Sequence, residues 1–133
     1  MRASVRRQVR IARSPADVWA IVGDPSRLAE WFPGIVSSTV SDDGTQRTIV
    51  TGTGIPMPEQ ILTNDPLQRR FQYRITTGMF KEHLSTLDVL DPDDGTSLVV
   101  YAADADPATM ALVLAGAAGN ALEHLRTQME GTV

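Results

Sequence analysis

The sequence predicts an α+β fold: one seven-stranded antiparallel sheet curled around a long C-terminal helix, with two short helices after the first strand. Three observations lead there. Residues 107–129 carry Met110, Leu114, Ala117, Ala121, Leu125 and Met129 at steps of three or four, which is one helical face. Between Ile35 and Asp104, runs rich in β-branched and aromatic residues alternate with turn sequences. Ahead of them, a short alternating segment is followed by two helical stretches broken at Gly23-Asp24-Pro25. A sheet with one apolar face and an amphipathic helix must each cover that face, and curling one around the other covers both.

The elements follow in order. Residues 5–12 alternate Val5, Arg7, Val9 and Ile11 with Arg6, Gln8, Arg10 and Ala12, a strand pattern. Ser14-Pro15-Ala16-Asp17 supplies an N-cap, a proline at the first helical position and a carboxylate three residues after the cap. Val18, Trp19, Ile21 and Val22 are the apolar positions of that helix, and a second runs from Pro25 to Trp31, ending at Phe32-Pro33-Gly34. Strands at 35–40 and 45–51 meet at Asp42-Asp43-Gly44, a hairpin signal. Pro56-Met57-Pro58 is read as a break, after which 59–64 and 69–76 pair around Asp65-Pro66. Residues 80–90 and 96–104 pair around Asp91-Pro92-Asp93-Asp94-Gly95, completing a meander.

For the last helix, Asp104 or Asp106 can cap, Pro107 suits the first turn and Gly131 the end. Leu112, Val113, Ala115 and Gly116 make its first half apolar nearly all round, so that half is expected to be covered on more than one side.

Composition narrows the function classes. The 133 residues form one expected domain, residues 1–133, with net charge −4 from 12 basic and 16 acidic side chains. No basic face is large enough to neutralise several phosphates, so nucleic acid is not the expected partner. Arg2, Arg6, Arg7, Arg10 and Arg13 fall on different sides of an extended segment and read as a solvated edge strand. The absence of cysteine excludes disulfides and thiolate chemistry. The helical run 107–129 is interrupted by Glu123 and Arg126, so no stable membrane insertion is expected, and no apolar run follows the basic start, so no signal peptide is expected. The expectation is a cytoplasmic protein, monomer or homodimer. His83 and His124 are the only histidines, so no metal site and no cofactor are expected.

Strand parity nominates the residues that face the helix. Phe71, Tyr73 and Ile75 form one set, His83, Ser85, Leu87 and Val89 another; Val99 pairs with Tyr101, and Ile61 with Glu59 and Thr63. Glu59, Tyr73, His83, Ser85 and Tyr101 are an excess of polar groups for a plain core, and each needs a partner. They can satisfy one another, with Glu59 meeting Arg47, Arg74 or His83, or they can orient a ligand in an apolar cavity. Trp31 and Phe32, beside Pro33-Gly34, are either a gate over that cavity or part of the core. Met110, Leu114, Ala117 and Ala118 would form its helical wall. If the cavity is catalytic, His83 and Glu59 are the acid–base pair, with Tyr73 or Tyr101 to stabilise a developing oxyanion.

Several of these segments together give a resemblance. Ser14-Pro15-Ala16-Asp17-Val18-Trp19, Trp31-Phe32-Pro33-Gly34, Glu59-Gln60-Ile61 leading to Asp65-Pro66, Arg70-Phe71-Gln72-Tyr73-Arg74-Ile75 and the strand from Gly95 to Tyr101 keep one order along the whole chain. That order resembles the polyketide cyclase/dehydrase-like branch of the START and birch-pollen-allergen (SRPBCC) superfamily. The chain departs from it in having Tyr101 where members often carry tryptophan, and a short, proline-rich hairpin after Arg47. The resemblance implies the helix-grip fold with a hydrophobic cavity. It implies binding of a lipid-, polyketide- or isoprenoid-type small molecule, or alternatively a polyketide cyclase, aromatase or dehydratase working in the same cavity. A regulatory module that binds a protein partner is the third reading.

Overall fold

A computed structural model describes residues 1–131 of the chain. The strands are β1 (Ala3–Ile11), β2 (Ile35–Val40), β3 (Gln46–Thr51), β4 (Pro56–Asp65), β5 (Arg70–Ile75), β6 (Glu82–Leu90) and β7 (Ser97–Asp106). The helices are α1 (Pro15–Val22), α2 (Leu28–Trp31), which a 3-10 turn at Pro25–Arg27 leads into, and α3 (Ala108–Gly131). All seven strands form one antiparallel sheet in the order β1-β7-β6-β5-β4-β3-β2. A meander from β2 to β7 is therefore closed by the first strand joining the last, and the arginine-bearing β1 is an edge strand.

The local chemistry explains the short elements. Ser14 Oγ accepts from the Asp17 amide at 3.2 Å, which caps α1, while the Asp17 carboxylate turns to Arg13 at 3.1 Å instead of closing a capping box. Asp24 Oδ1 accepts from the Ser26 amide at 3.0 Å and starts the 3-10 turn. From α3, His124 Nδ1 donates to the Trp31 carbonyl at 3.1 Å and Gln128 Nε2 to the Glu30 carbonyl at 2.6 Å, holding the end of α2 against the long helix. No helix among the described residues is long and apolar enough to cross a membrane.

Three expectations are corrected. Pro56 and Pro58 lie inside β4 and do not break it: they stand opposite Val50 and Thr48 of β3. The Ile61 amide reaches the Thr45 carbonyl across β3, so by alternation Pro56 and Pro58 turn their missing N–H groups the other way. On that side β5 has already ended, at the pairing of Ile75 with Glu59, and no donor is required. A register shift between Ile61 and Thr63 moves Thr63 off the concave face, where it bonds Gln72 at 2.8 Å.

The third correction concerns α3. It packs on β1 and β7, burying Ala111, Ala115, Ala118, Ala121, Leu122, Leu125 and Met129. In the first half of α3 the buried residues Ala111, Ala115 and Ala118 lie one position beyond the expected Met110, Leu114 and Ala117, whereas Ala121, Leu125 and Met129 are buried as expected. Alanines dominate its first half, so the helix can sit close to the sheet there. A Cβ at Gly119 would come 3.6 Å from the Arg7 stem, whereas one at Gly116 would meet nothing within 4 Å. Leu112 and Val113 remain 68% and 61% exposed, so the first half of α3 is covered on one side only.

Candidate functional site: a cavity between the sheet and the long helix

α3 packs on β1 and β7, α2 on β2 and α1 on β6, which leaves the part of the concave face made by β3 to β5 without a helix packed closely against it. A cavity of about 300 Å³ opens there. Its floor comes from β3 to β5 through Ile49, Thr51, Met57, Glu59, Tyr73 and Ile75. One wall is Leu28, Phe32 and Ile35; Met79 and Phe80 close the end before β6; Met110, Val113, Leu114 and Ala117 of α3 form the roof.

The polar groups in and beneath this floor fall into three separate pairings. Arg47 and Glu59 are direct cross-strand neighbours on β3 and β4, each 2% exposed at the side chain. Arg47 Nε donates to Glu59 Oε1 at 2.8 Å, and Nη2 lies 2.7 Å from the same oxygen. The guanidinium carbon sits 5.2 Å from the Phe71 ring centre and 4.9 Å from that of Tyr73, so aromatic faces replace part of its lost hydration. Burial pushes the Glu59 carboxyl above its usual range, with Arg47 opposing.

The second pairing runs through His83. The β5–β6 ladder stops at Tyr73 and Ser85, and the next inward amide, that of Ile75, donates instead to His83 Nδ1 at 2.9 Å. An accepting Nδ1 places the proton on Nε2, which then donates to Ser85 Oγ at 2.8 Å. A third pairing joins the Tyr73 hydroxyl to that of Tyr101 in a short contact. Burial raises both phenols, Tyr101 the further, so both stay protonated. The Glu59–His83 couple proposed for catalysis is thus replaced by two pairings, Arg47–Glu59 and Ile75–His83–Ser85.

Burial lowers the His83 pKa to about 4. Its unfolded counterpart takes up a proton near the ordinary value of 6.5. Between those values the unfolded chain binds more protons, so this residue makes stability fall as pH drops through that window. We expect His83→Gln to flatten the decline. Denaturant midpoints measured across the window check it, and an unchanged slope would show that His83 is not its source.

The structure sorts the other sequence-predicted residues as follows. Phe32, Tyr73, Ile75, Met110, Leu114 and Ala117 line the cavity together with Glu59. Trp31 (1% exposed), Phe71, Leu87, Val99 and Tyr101 belong to the packed core, and Ile61 packs against it half-buried. Ala118 is on the stripe that meets the sheet. The gate reading of Trp31 gives way to its core reading; Phe32, beside it, is the aromatic at the cavity. Sequence reasoning missed Leu28, Ile35, Ile49, Thr51, Met57, Met79, Phe80 and Val113. Ile49 and Thr51 share the parity of Arg47, and Met57 that of Glu59, so pairing Arg47 with Glu59 would have found them. Met79 and Phe80 lie in a loop without periodicity.

A larger, open groove of about 710 Å³ lies outside, between α1 and the end of α3, lined by residues such as Arg13, Asp17, Glu30 and Thr127. Those four side chains are all at least partly exposed, unlike the buried pairs above.

Known proteins share this architecture. The fold matches an uncharacterised protein from Bacillus thuringiensis at TM-score 0.87 and 24% identity, covering 96% of this chain and 98% of the other. It matches a START superfamily protein from Mycobacterium smegmatis at TM-score 0.70 and 21% identity, covering 98% and 96%. Norcoclaurine synthase from Thalictrum flavum, solved with dopamine and hydroxybenzaldehyde, matches at TM-score 0.77 and 14% identity, covering 100% and 89%. No curated protein matches the chain in sequence. The seven-stranded sheet with its long C-terminal helix is the helix-grip fold. The family model for polyketide cyclase / dehydrase and lipid transport matches residues 2–130, and the chain belongs to that family.

Proposed function

We propose that the protein binds a hydrophobic small molecule, of lipid, polyketide or isoprenoid type, in the cavity between β3–β5 and α3, without transforming it. The observation that carries this reading is the lining: of its residues, all but Thr51, Glu59 and Tyr73 present hydrocarbon or thioether surface. At about 300 Å³ the cavity is at the small end of ligand pockets, so the cargo is compact or only partly enclosed. Binding is favoured over cyclisation because the histidine and the phenols that a cyclase would use are already engaged. The His83 Nδ1 lone pair holds the Ile75 amide, and the two phenols hold each other.

The test is uptake of a neutral apolar fluorophore, N-phenyl-1-naphthylamine. Wild type should bind it saturably. Ala117→Phe, which projects a ring from the roof, should cut uptake strongly at nearly unchanged melting temperature. Ala118→Phe, at the sheet contact, should instead destabilise by about 1–3 kcal/mol through overpacking. A stable Ala117→Phe protein that binds the probe as wild type does would place the probe on the surface and remove the basis for the proposal.

A further inference from the structure

Arg47 carries a permanent charge and is 2% exposed, so its neighbour Glu59 must be ionised to balance it, and an ionised carboxylate only accepts hydrogen bonds. Both arginine contacts converge on Oε1. Among the described residues no protein donor reaches Oε2. Nor is that oxygen sealed in: among the described residues the fully enclosed side-chain polar atom left without a hydrogen bond is Arg47 Nη2. Glu59 itself is 3% exposed and lines the cavity. The cavity's other polar side chains are engaged, Tyr73 with Tyr101 and Thr51 with Thr53. A carboxylate oxygen therefore stands in a hydrocarbon enclosure with an unfilled acceptor position.

Building on the binding function above, we infer that Glu59 Oε2 anchors the ligand, which is a neutral apolar molecule bearing a hydroxyl, an alcohol or phenol. A ligand hydroxyl would fill the acceptor position and leave the Arg47–Glu59 pair neutral overall. An ammonium group would add an unbalanced positive charge in a low-dielectric site. A fatty-acid carboxylate would bring a second anion to Glu59, while the guanidinium that could have received it is held behind Glu59 between the Phe71 and Tyr73 rings. The cavity selects on the ligand's polar end as well as on its hydrocarbon.

Competition against N-phenyl-1-naphthylamine at neutral pH tests this with matched chains: 1-octanol, its ether isomer heptyl methyl ether, and octanoate. A hydrogen bond to a charged acceptor should give 1-octanol about a tenfold or greater advantage over the ether, with octanoate weaker still. In the double variant Arg47→Met/Glu59→Met the advantage of 1-octanol over the ether should vanish. Octanoate or the ether matching 1-octanol on wild type, or an alcohol preference that survives in the double variant, would overturn the anchor while leaving hydrophobic binding intact. Absence of probe uptake by wild type would instead remove the binding function itself. The wild-type ranking is decisive without the variant.

Discussion

Leu125→Asp should leave the chain without a cooperative thermal transition. Leu125 is 0% exposed on the stripe of α3 that meets β1 and β7. Among the described residues the buried basic side chains are Arg47 and His83, and both are already engaged elsewhere. A carboxyl buried at this position without a partner, together with the lost leucine packing, costs several kcal/mol, on the scale of the roughly 5–15 kcal/mol that holds a domain of this kind together. Leu114→Asp makes the contrast. Leu114 is half-buried and roofs the cavity, where its carboxylate can reach water, so the variant should keep a cooperative melt and lose the apolar probe. Circular dichroism melts and probe titrations of both variants decide the matter. A Leu125→Asp protein with wild-type stability would mean that α3 is not the element the sheet is built on.

Arg47→Met should destabilise the fold by about 3–5 kcal/mol, the usual scale for stranding one member of a buried ion pair. Glu59 would remain 3% exposed with no counter-charge, facing hydrocarbon and the Tyr73 ring. Replacing both members, in Arg47→Met/Glu59→Met, should restore stability to near or above wild type, because well-packed apolar pairs match buried ion pairs in net stability. Urea unfolding of wild type, single and double variants gives the cycle directly. A single variant as stable as wild type would show that water reaches the pair freely.

How much of this was legible in the sequence depended on how strong each local pattern was. Alternation placed Phe71, Tyr73 and Ile75 of one strand and His83, Ser85 and Leu87 of the next on the helix-facing side, and all six are buried. Parity alone could not choose the partner of Glu59 among Arg47, Arg74 and His83, because that choice is made by the β3–β4 register. Nor could it foresee the bulge after Ile61 that sends Thr63 to the other face. The phase of α3 was ambiguous for a different reason. With apolar residues nearly all round residues 110–118, periodicity cannot tell the alanines that touch the sheet from Met110, Leu114 and Ala117, which face the cavity. The cavity itself is a consequence of that asymmetry, since it lies under the flank of α3 that does not pack on β1 and β7.

The prolines of β4 have an effect on solubility as well as on strand geometry. Past the end of β5, the segment from Pro56 to Pro58 has no strand on its outer side, and a bare strand edge invites another chain to dock by backbone hydrogen bonding. Two of the three residues there lack the N–H that such docking needs, and the third, Met57, turns its amide toward β3. The open side of the sheet is in this way closed to aggregation by chemistry and needs no covering element. A cavity rim can stay unobstructed beside it without becoming a site for fibril growth.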